Sequence, residues 1–192
     1  GDPRTFASEM RRGDDQPLMT YPDRLLGGRL GRLMYAKTAT AMVILREHVL
    51  GPERFDAAFK AYINAWAFKH PQPADFFRAM ESGAGMDLAW FWRGWFYEYG
   101  TVDLAVTGFE QSDASNASVS FKTLRRMVMP SSYRIDYTDD SSEVRRLPVE
   151  AWYTGDAFTA AIDTGGRRIK RVTIDPEHAL PDQDDGNDTW PR

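Results

Sequence analysis

The hydrophobic period of this chain changes once, at Gly100, and that change constrains its fold more than any other feature. Before Gly100 apolar residues recur at intervals of three and one; after it they alternate. Upstream, Phe55, Ala58, Phe59, Tyr62, Ile63 and Trp66 form one wide stripe, and Leu88, Phe91, Trp92, Trp95, Phe96 and Tyr99 form another. Stripes of this width belong to helices that face a core. Their aromatic content suggests a ligand box, but helical spacing makes them packing surfaces.

The punctuation between the stripes sets the helix ends. Ala39, Met42, Val43, Val49 and Leu50 predict a first long helix from Tyr35, stopped by Gly51. Pro52 suits the first turn of the next helix. Pro71 and Pro73 close the following link, Phe76, Phe77 and Met80 mark a short third helix ending near Gly83, and Asp87 caps a fourth. Ahead of these, Phe6 and Met10 can share a short helical face, which Gly13-Asp14-Asp15 breaks. Pro17 and Pro22 then hold the chain extended. Gly27-Gly28 and Gly31 lack the strand-then-helix setting and G-x-G-x-x-G spacing of a dinucleotide site.

Beyond Gly100, strands are predicted around Val102-Leu104-Val106, Val119-Phe121, Met127-Met129, Tyr133-Ile135-Tyr137, Val149-Ala151-Tyr153, Phe158-Ala160-Ile162 and Ile169-Val172-Ile174. Turn signals at Ser112-Asp113, Thr138-Asp139-Asp140, Thr154-Gly155-Asp156 and Gly165-Gly166 separate them. The expected fold class is α+β. Residues 1–100 form an all-helical subdomain of about four helices, 101–180 an antiparallel, Ig-like β-sandwich, and 181–192 an acidic tail that frays. The sandwich is the more autonomous unit.

A formal net charge of −4 argues against a nucleic-acid partner, which needs a basic excess. No apolar run approaches the roughly 20 residues of a membrane span. There is no cysteine, which removes disulfides, thiolate metal sites and cysteine nucleophiles together. The histidines are His48, His70 and His178, none within helical reach of another, and no His-Glu-x-x-His occurs. The run Asp182, Asp184, Asp185, Asp188 fails as an EF-hand loop, because Gly186 falls one place early and no Glu closes it. A solvated tail is the simpler expectation. No Gly-x-Ser-x-Gly elbow and no P-loop are present. Asn116-Ala117-Ser118 and Asn187-Asp188-Thr189 match the glycosylation acceptor pattern, which matters only in a eukaryotic secretory host.

A longer succession carries more information. Tyr35-x-Lys37, an apolar helix, Leu50-Gly51-Pro52-Glu53-Arg54-Phe55, Tyr62 and Trp66-Ala67-Phe68-Lys69-His70-Pro71 occur in order. Asp75-Phe76-Phe77-Arg78, Met80-Glu81, Asp87-Leu88 and Trp90-Phe91-Trp92-Arg93-Gly94-Trp95-Phe96 continue it. The succession resembles the C-terminal half of the catalytic domain in the aminopeptidase N family of gluzincin zinc peptidases. Leu147-Pro148-Val149-Glu150-Ala151-Trp152 and Ile174-Asp175-Pro176 resemble the sandwich domain that follows it. The resemblance runs from about Pro17 to Trp190.

That resemblance implies a catalytic role for Tyr35. In the family, the Tyr of a Tyr-x-Lys-Gly segment donates its hydroxyl to the tetrahedral intermediate formed when zinc-activated water attacks a peptide carbonyl. Tyr35 matches that position, and a phenol is a neutral donor at working pH. One such donor is worth roughly 3 to 4 kcal/mol of barrier, by analogy with an oxyanion-hole donor. Thr38 stands where the family usually has Gly, so the backbone beside Tyr35 is open to a different course. The family's zinc-binding His-Glu-x-x-His, its third Glu ligand and its Gly-rich amino-end recognition segment all precede this point.

Three expectations follow from the resemblance and from the opening Gly1-Asp2-Pro3 without Met. The chain is a C-terminal fragment of an aminopeptidase-type metallopeptidase, inactive alone, with no cofactor of its own and zinc in the full-length parent. Its partners are the upstream half of the same catalytic domain and, in the full enzyme, a peptide substrate. Apolar surface on the Tyr35 helix or its approach should then be exposed, favouring self-association. The alternative is a non-catalytic helical plus β-sandwich module for binding or scaffolding, with Tyr35 a packing residue.

Overall fold

The computed structural model describes residues 16–28 and 30–191. Chain contacts divide it into two compact units, one within Asp14–Tyr99 and the other within Gly100–Arg192. The expected helix around Phe6 and Met10 and its break at Gly13-Asp14-Asp15 lie outside the described residues. The architecture is mixed, with four main helices in the first unit and two antiparallel sheets in the second. The sheets form no closed barrel.

In the first unit, helix α1 spans residues 31–50 without a break. It winds as a π-helix over Gly31–Lys37, as an α-helix over Thr38–Ile44 and as a π-helix again over Leu45–Leu50. The wider π turn alters which face is buried. Leu33, Lys37, Ala41 and Leu45, each four residues apart, line the interior together with Thr40 and Ile44. Ala39, expected on the buried face at the 3.6-residue period, is exposed instead. Gly51, at φ 81°, takes a left-handed conformation that glycine adopts without steric cost and so ends the helix.

Helix α2 (Pro52–Trp66) lies against α3 (Pro73–Ala84). Their contact depends on Gly83, where a Cβ would sit 2.7 Å from the Ala58 Cβ and 2.9 Å from its Cα. Helix α3 therefore runs through Gly83, the expected stop, and ends at the left-handed Gly85. At its other end the Gln72 amide N–H donates to the Asp75 carboxylate at 2.8 Å in a capping box. Asp87 accepts from the Ala89 N–H at 2.8 Å and starts α4, α-helical over Ala89–Trp92 and π-wound over Arg93–Tyr97. Glu81 of α3 accepts from both the Leu88 N–H and the Trp92 indole, at 3.2 and 3.1 Å. Phe77 stacks on Trp92 with ring centres 4.5 Å apart, and Phe91 and Trp95 are fully buried beside them.

The α2 stripe is only partly used. Phe55 and Ala58 are buried, whereas Phe59 and Ile63, also expected to face a core, are exposed. An aromatic ladder of Phe55, Phe59, Tyr62 and Phe76 carries this stripe toward α3.

In the second unit, β1 (Leu104–Gln111), β2 (Asn116–Thr123) and β5 (Ala157–Asp163) form one sheet in the order β1-β2-β5. The other contains β3 (Ser131–Tyr137), β4 (Ser142–Leu147), β6 (Ile169–Ile174) and β7 (Thr189–Trp190), ordered β4-β3-β6-β7. Alternation puts Val119 and Phe121 of β2 and Tyr133, Ile135 and Tyr137 of β3 inside. Phe121 meets Tyr133 at 4.8 Å between ring centres, joining the two sheets through their buried faces.

Three segments differ from the sequence expectation. Val149–Trp152 is a 3-10 turn, not a strand, whose Trp152 indole donates to the Met129 carbonyl at 3.0 Å. Met127 and Met129 are buried but unpaired in either sheet, so their alternation reflects packing of an irregular segment. Strand β4 was hidden because Glu143, Arg145 and Arg146 replace an apolar face at the sheet edge. There the Tyr137 hydroxyl donates to Glu143 at 2.6 Å, Arg145 pairs with Glu143 at 2.9 Å, and the Arg167 guanidinium lies 3.8 Å from the Tyr137 ring centre.

The segment expected to fray is folded into this unit. Asp182 is buried and accepts from the Leu104 N–H at 2.8 Å, and β7 pairs with β6 through Val172↔Trp190 and Thr173↔Thr189. Carboxylates can be held inside when main-chain N–H groups satisfy them, and the acidic composition of 181–192 did not show those donors.

Candidate functional site

Tyr35 lies in the π-wound start of α1 and is 74% exposed. Lys37, two residues on, projects to the opposite side and is buried. Thr38 has φ −63° and ψ −45°, ordinary helical values, so this position needs no glycine here. Its hydroxyl donates to the Leu33 carbonyl at 3.3 Å, while the Thr40 hydroxyl donates to the Ala36 carbonyl at 2.9 Å. Both bonds occupy carbonyls that bracket Tyr35 in the sequence. The arrangement is one exposed phenol on a fixed helical wall.

The approach to this helix is also apolar and open. Tyr21, Leu26 and Leu30 are exposed, Leu30 by 54%. Leu18 anchors the segment in the interior, and the Met19 N–H donates to the Phe96 carbonyl at 3.0 Å. On α3 and α4 a separate groove of about 360 Å³ is lined by Phe77, Glu81, Trp92, Arg93 and Tyr97.

His48 and His70 are exposed. Among the described residues, the one group of three side chains placed to share a metal ion is His178, Asp185 and Asp188, in the second unit. It belongs to an acidic segment in which Asp103, Asp175, Asp182 and Asp188 are all buried. Burial, opposed by N–H donors from Leu104 and Asp184, pushes the Asp182 carboxyl up to about 6. Burial and then the charges of Asp182, Asp185, Asp175 and Asp184 push Asp188 up to about 8. The run of acids is legible in the sequence, but not that Asp103 and Asp175 join it or that Asp182 and Asp188 are buried.

No protein-family model and no curated protein matches this chain. A solved structure, Legionella pneumophila aminopeptidase A in complex with aspartic acid, matches with a TM-score of 0.61 at 17% identity. The alignment covers 78% of this chain and 17% of that one. At this identity the likeness is one of fold. The chain spans less than a fifth of the length of the aminopeptidase it resembles.

The zinc that the aminopeptidase resemblance implies does not fit the residues present. The sequence has no His-Glu-x-x-His, and His48 and His70 of the helical unit belong to no three-ligand group among the described residues. The His178 group combines one imidazole with two aspartates, a different donor set. Among the described residues no helix is long and apolar enough to cross a membrane.

Proposed function

We propose that this chain is the C-terminal part of a zinc-dependent, aminopeptidase-type metallopeptidase, in which it forms one wall of the site and Tyr35 is the catalytic group it contributes. The observation that carries this reading is the fold likeness to an aminopeptidase over 78% of the chain. The exposed Tyr35, carried on a helix whose approach exposes Tyr21, Leu26 and Leu30, supports it.

On this reading the Tyr35 hydroxyl keeps its proton and donates a hydrogen bond to the carbonyl-derived oxygen of the scissile peptide. The bond strengthens as negative charge develops on that oxygen, so it lowers the barrier rather than merely binding substrate. Zinc and the base that activates water belong to the preceding part of the parent enzyme, and the chain alone is inactive. Its exposed apolar approach is the contact surface for that part.

The test is hydrolysis of aminoacyl arylamides by the product of the full reading frame, with and without chelation, beside the isolated chain. The proposal expects chelator-sensitive turnover by the full product and none by the chain. A full product that binds no zinc and hydrolyses nothing would leave Tyr35 as a surface residue of a non-catalytic binding module.

A further inference from the structure

We propose that His178, Asp185 and Asp188 hold a divalent transition cation such as Zn²⁺ as a structural tie in the second unit, anchored by Asp188, whose Oδ1 is buried and without a hydrogen-bond partner. This site is independent of the peptidase reading. One ligand atom from each residue lies within 4.8 Å of the other two. Ligands about a tetrahedral zinc at roughly 2.0–2.2 Å lie about 3.3–3.5 Å apart, so closure needs a contraction of at most about 1.5 Å. Asp185 is exposed, whereas Asp188 is 4% exposed.

The other buried acids of the segment show why Asp188 stands out. Asp175 accepts from the Ala179 and Leu180 N–H groups at 3.0 and 2.9 Å. Asp182 accepts from Leu104 and Asp184 at 2.8 and 3.0 Å. Asp103 accepts from the Asn187 side-chain amide at 2.9 Å and lies 3.7 Å from the Arg125 guanidinium. Asp188 Oδ1 has no such donor and is shielded from solvent. The charges acting on Asp188 come from Asp182, Asp185, Asp175 and Asp184, all of its own sign. A buried acceptor in a field of like charge is costly unless a proton or a cation meets it.

The surrounding backbone fixes the donors. The Ile174 N–H donates to the Asp188 carbonyl at 2.9 Å, and the next residue enters β7. His178 donates its N–H to the Asp175 carbonyl at 2.9 Å and takes φ 51°. A single imidazole with two carboxylates favours a borderline ion such as Zn²⁺, while Ca²⁺ requires six to eight oxygens.

The experiment uses the metal-free 192-residue chain, with thermal unfolding followed in Zn²⁺ and, separately, in Ca²⁺. Zn²⁺ at about 100 times its Kd should raise the transition of the second unit by roughly 10 to 20 °C. Ca²⁺ at the same concentration should give little change. Asp188→Asn and His178→Gly should each lose most of the Zn²⁺ effect. Asp188→Asn relieves like-charge repulsion, and glycine adopts the left-handed turn at 178, so each variant suits the fold in its own way. A Zn²⁺ effect that survives both substitutions, such as binding at His48 or His70, would overturn the site. So would the absence of any shift, or an equal shift in Ca²⁺.

Discussion

In the helical unit Leu30, Tyr35, Phe59 and Ile63 stand exposed, whereas in the sheet unit Asp103, Asp175, Asp182 and Asp188 are buried. Each unit thus places residues against their usual preference, in opposite directions. The sheet unit meets Asp175 and Asp182 with main-chain N–H groups, and its apolar alternation is otherwise consumed by the contact of its two sheets. The helical unit has a well-packed centre around Phe91 and Trp95, but its apolar faces extend past what the described residues cover. Exposed apolar surface calls for a partner surface; a buried, unpaired carboxylate calls for a proton or a cation. The two units therefore point to different kinds of complement.

The largest effect should come from the centre of the helical unit. Trp95→Ala removes a fully buried ring and should cost about 3–5 kcal/mol. Calorimetry should show the helical transition lost and the sheet transition unchanged. Simultaneous loss of both would break the distinction between units. Gly83→Val should cost about 1–3 kcal/mol, because its new side chain meets the Ala58 backbone, which cannot rotate away. Denaturant unfolding, read with the midpoint against an unchanged slope, measures that loss.

Glu143 provides the corresponding test in the sheet unit. Burial opposes its ionisation, yet the Tyr137 hydroxyl, Arg145 and Arg167 outweigh it and hold its carboxyl below the usual Glu range. A depressed folded-state value means that the charged form stabilises the fold above the unfolded pKa, near 4.5. That stabilisation is lost as pH falls through the still lower folded value. Glu143→Gln should cost about 1–2 kcal/mol at pH 7 and less at pH 3, giving a flatter acid limb in melts across pH. The smallest stability effect should be at the exposed Leu30. Leu30→Ser should change stability by no more than about 0.5 kcal/mol, while sedimentation velocity should show less self-association. Unchanged association would place the sticky surface elsewhere.

Much of the fold was legible because most elements keep a clean period. The α4 aromatics, the β2 and β3 alternation and the Asp87 start of α4 all reflect local patterning. The failures share a cause in longer-range or non-ideal geometry. Ala39 is exposed where a uniform 3.6-residue period predicts burial, because π winding shifts the buried face to Leu33, Lys37 and Ala41. Strand β4 carries charged residues whose role is to cover Tyr137. The 181–192 segment reads as solvated because the N–H groups that hold Asp182 come partly from Leu104, 78 positions away. The proposed chemistry of Tyr35 rests on family resemblance, because its helix fixes only where the phenol is exposed. The His178, Asp185 and Asp188 group could not be read from spacing, since a turn after β6 and the entry to β7 bring it together.

The proposed role of Tyr35 is best tested by Tyr35→Phe in the product of the full reading frame, which deletes one hydroxyl from an exposed ring. The account predicts a kcat lower by roughly 10²–10³-fold on aminoacyl arylamides, with KM and Tm nearly unchanged. An unchanged kcat in that stable variant would contradict the assignment of Tyr35 as the catalytic group of this wall.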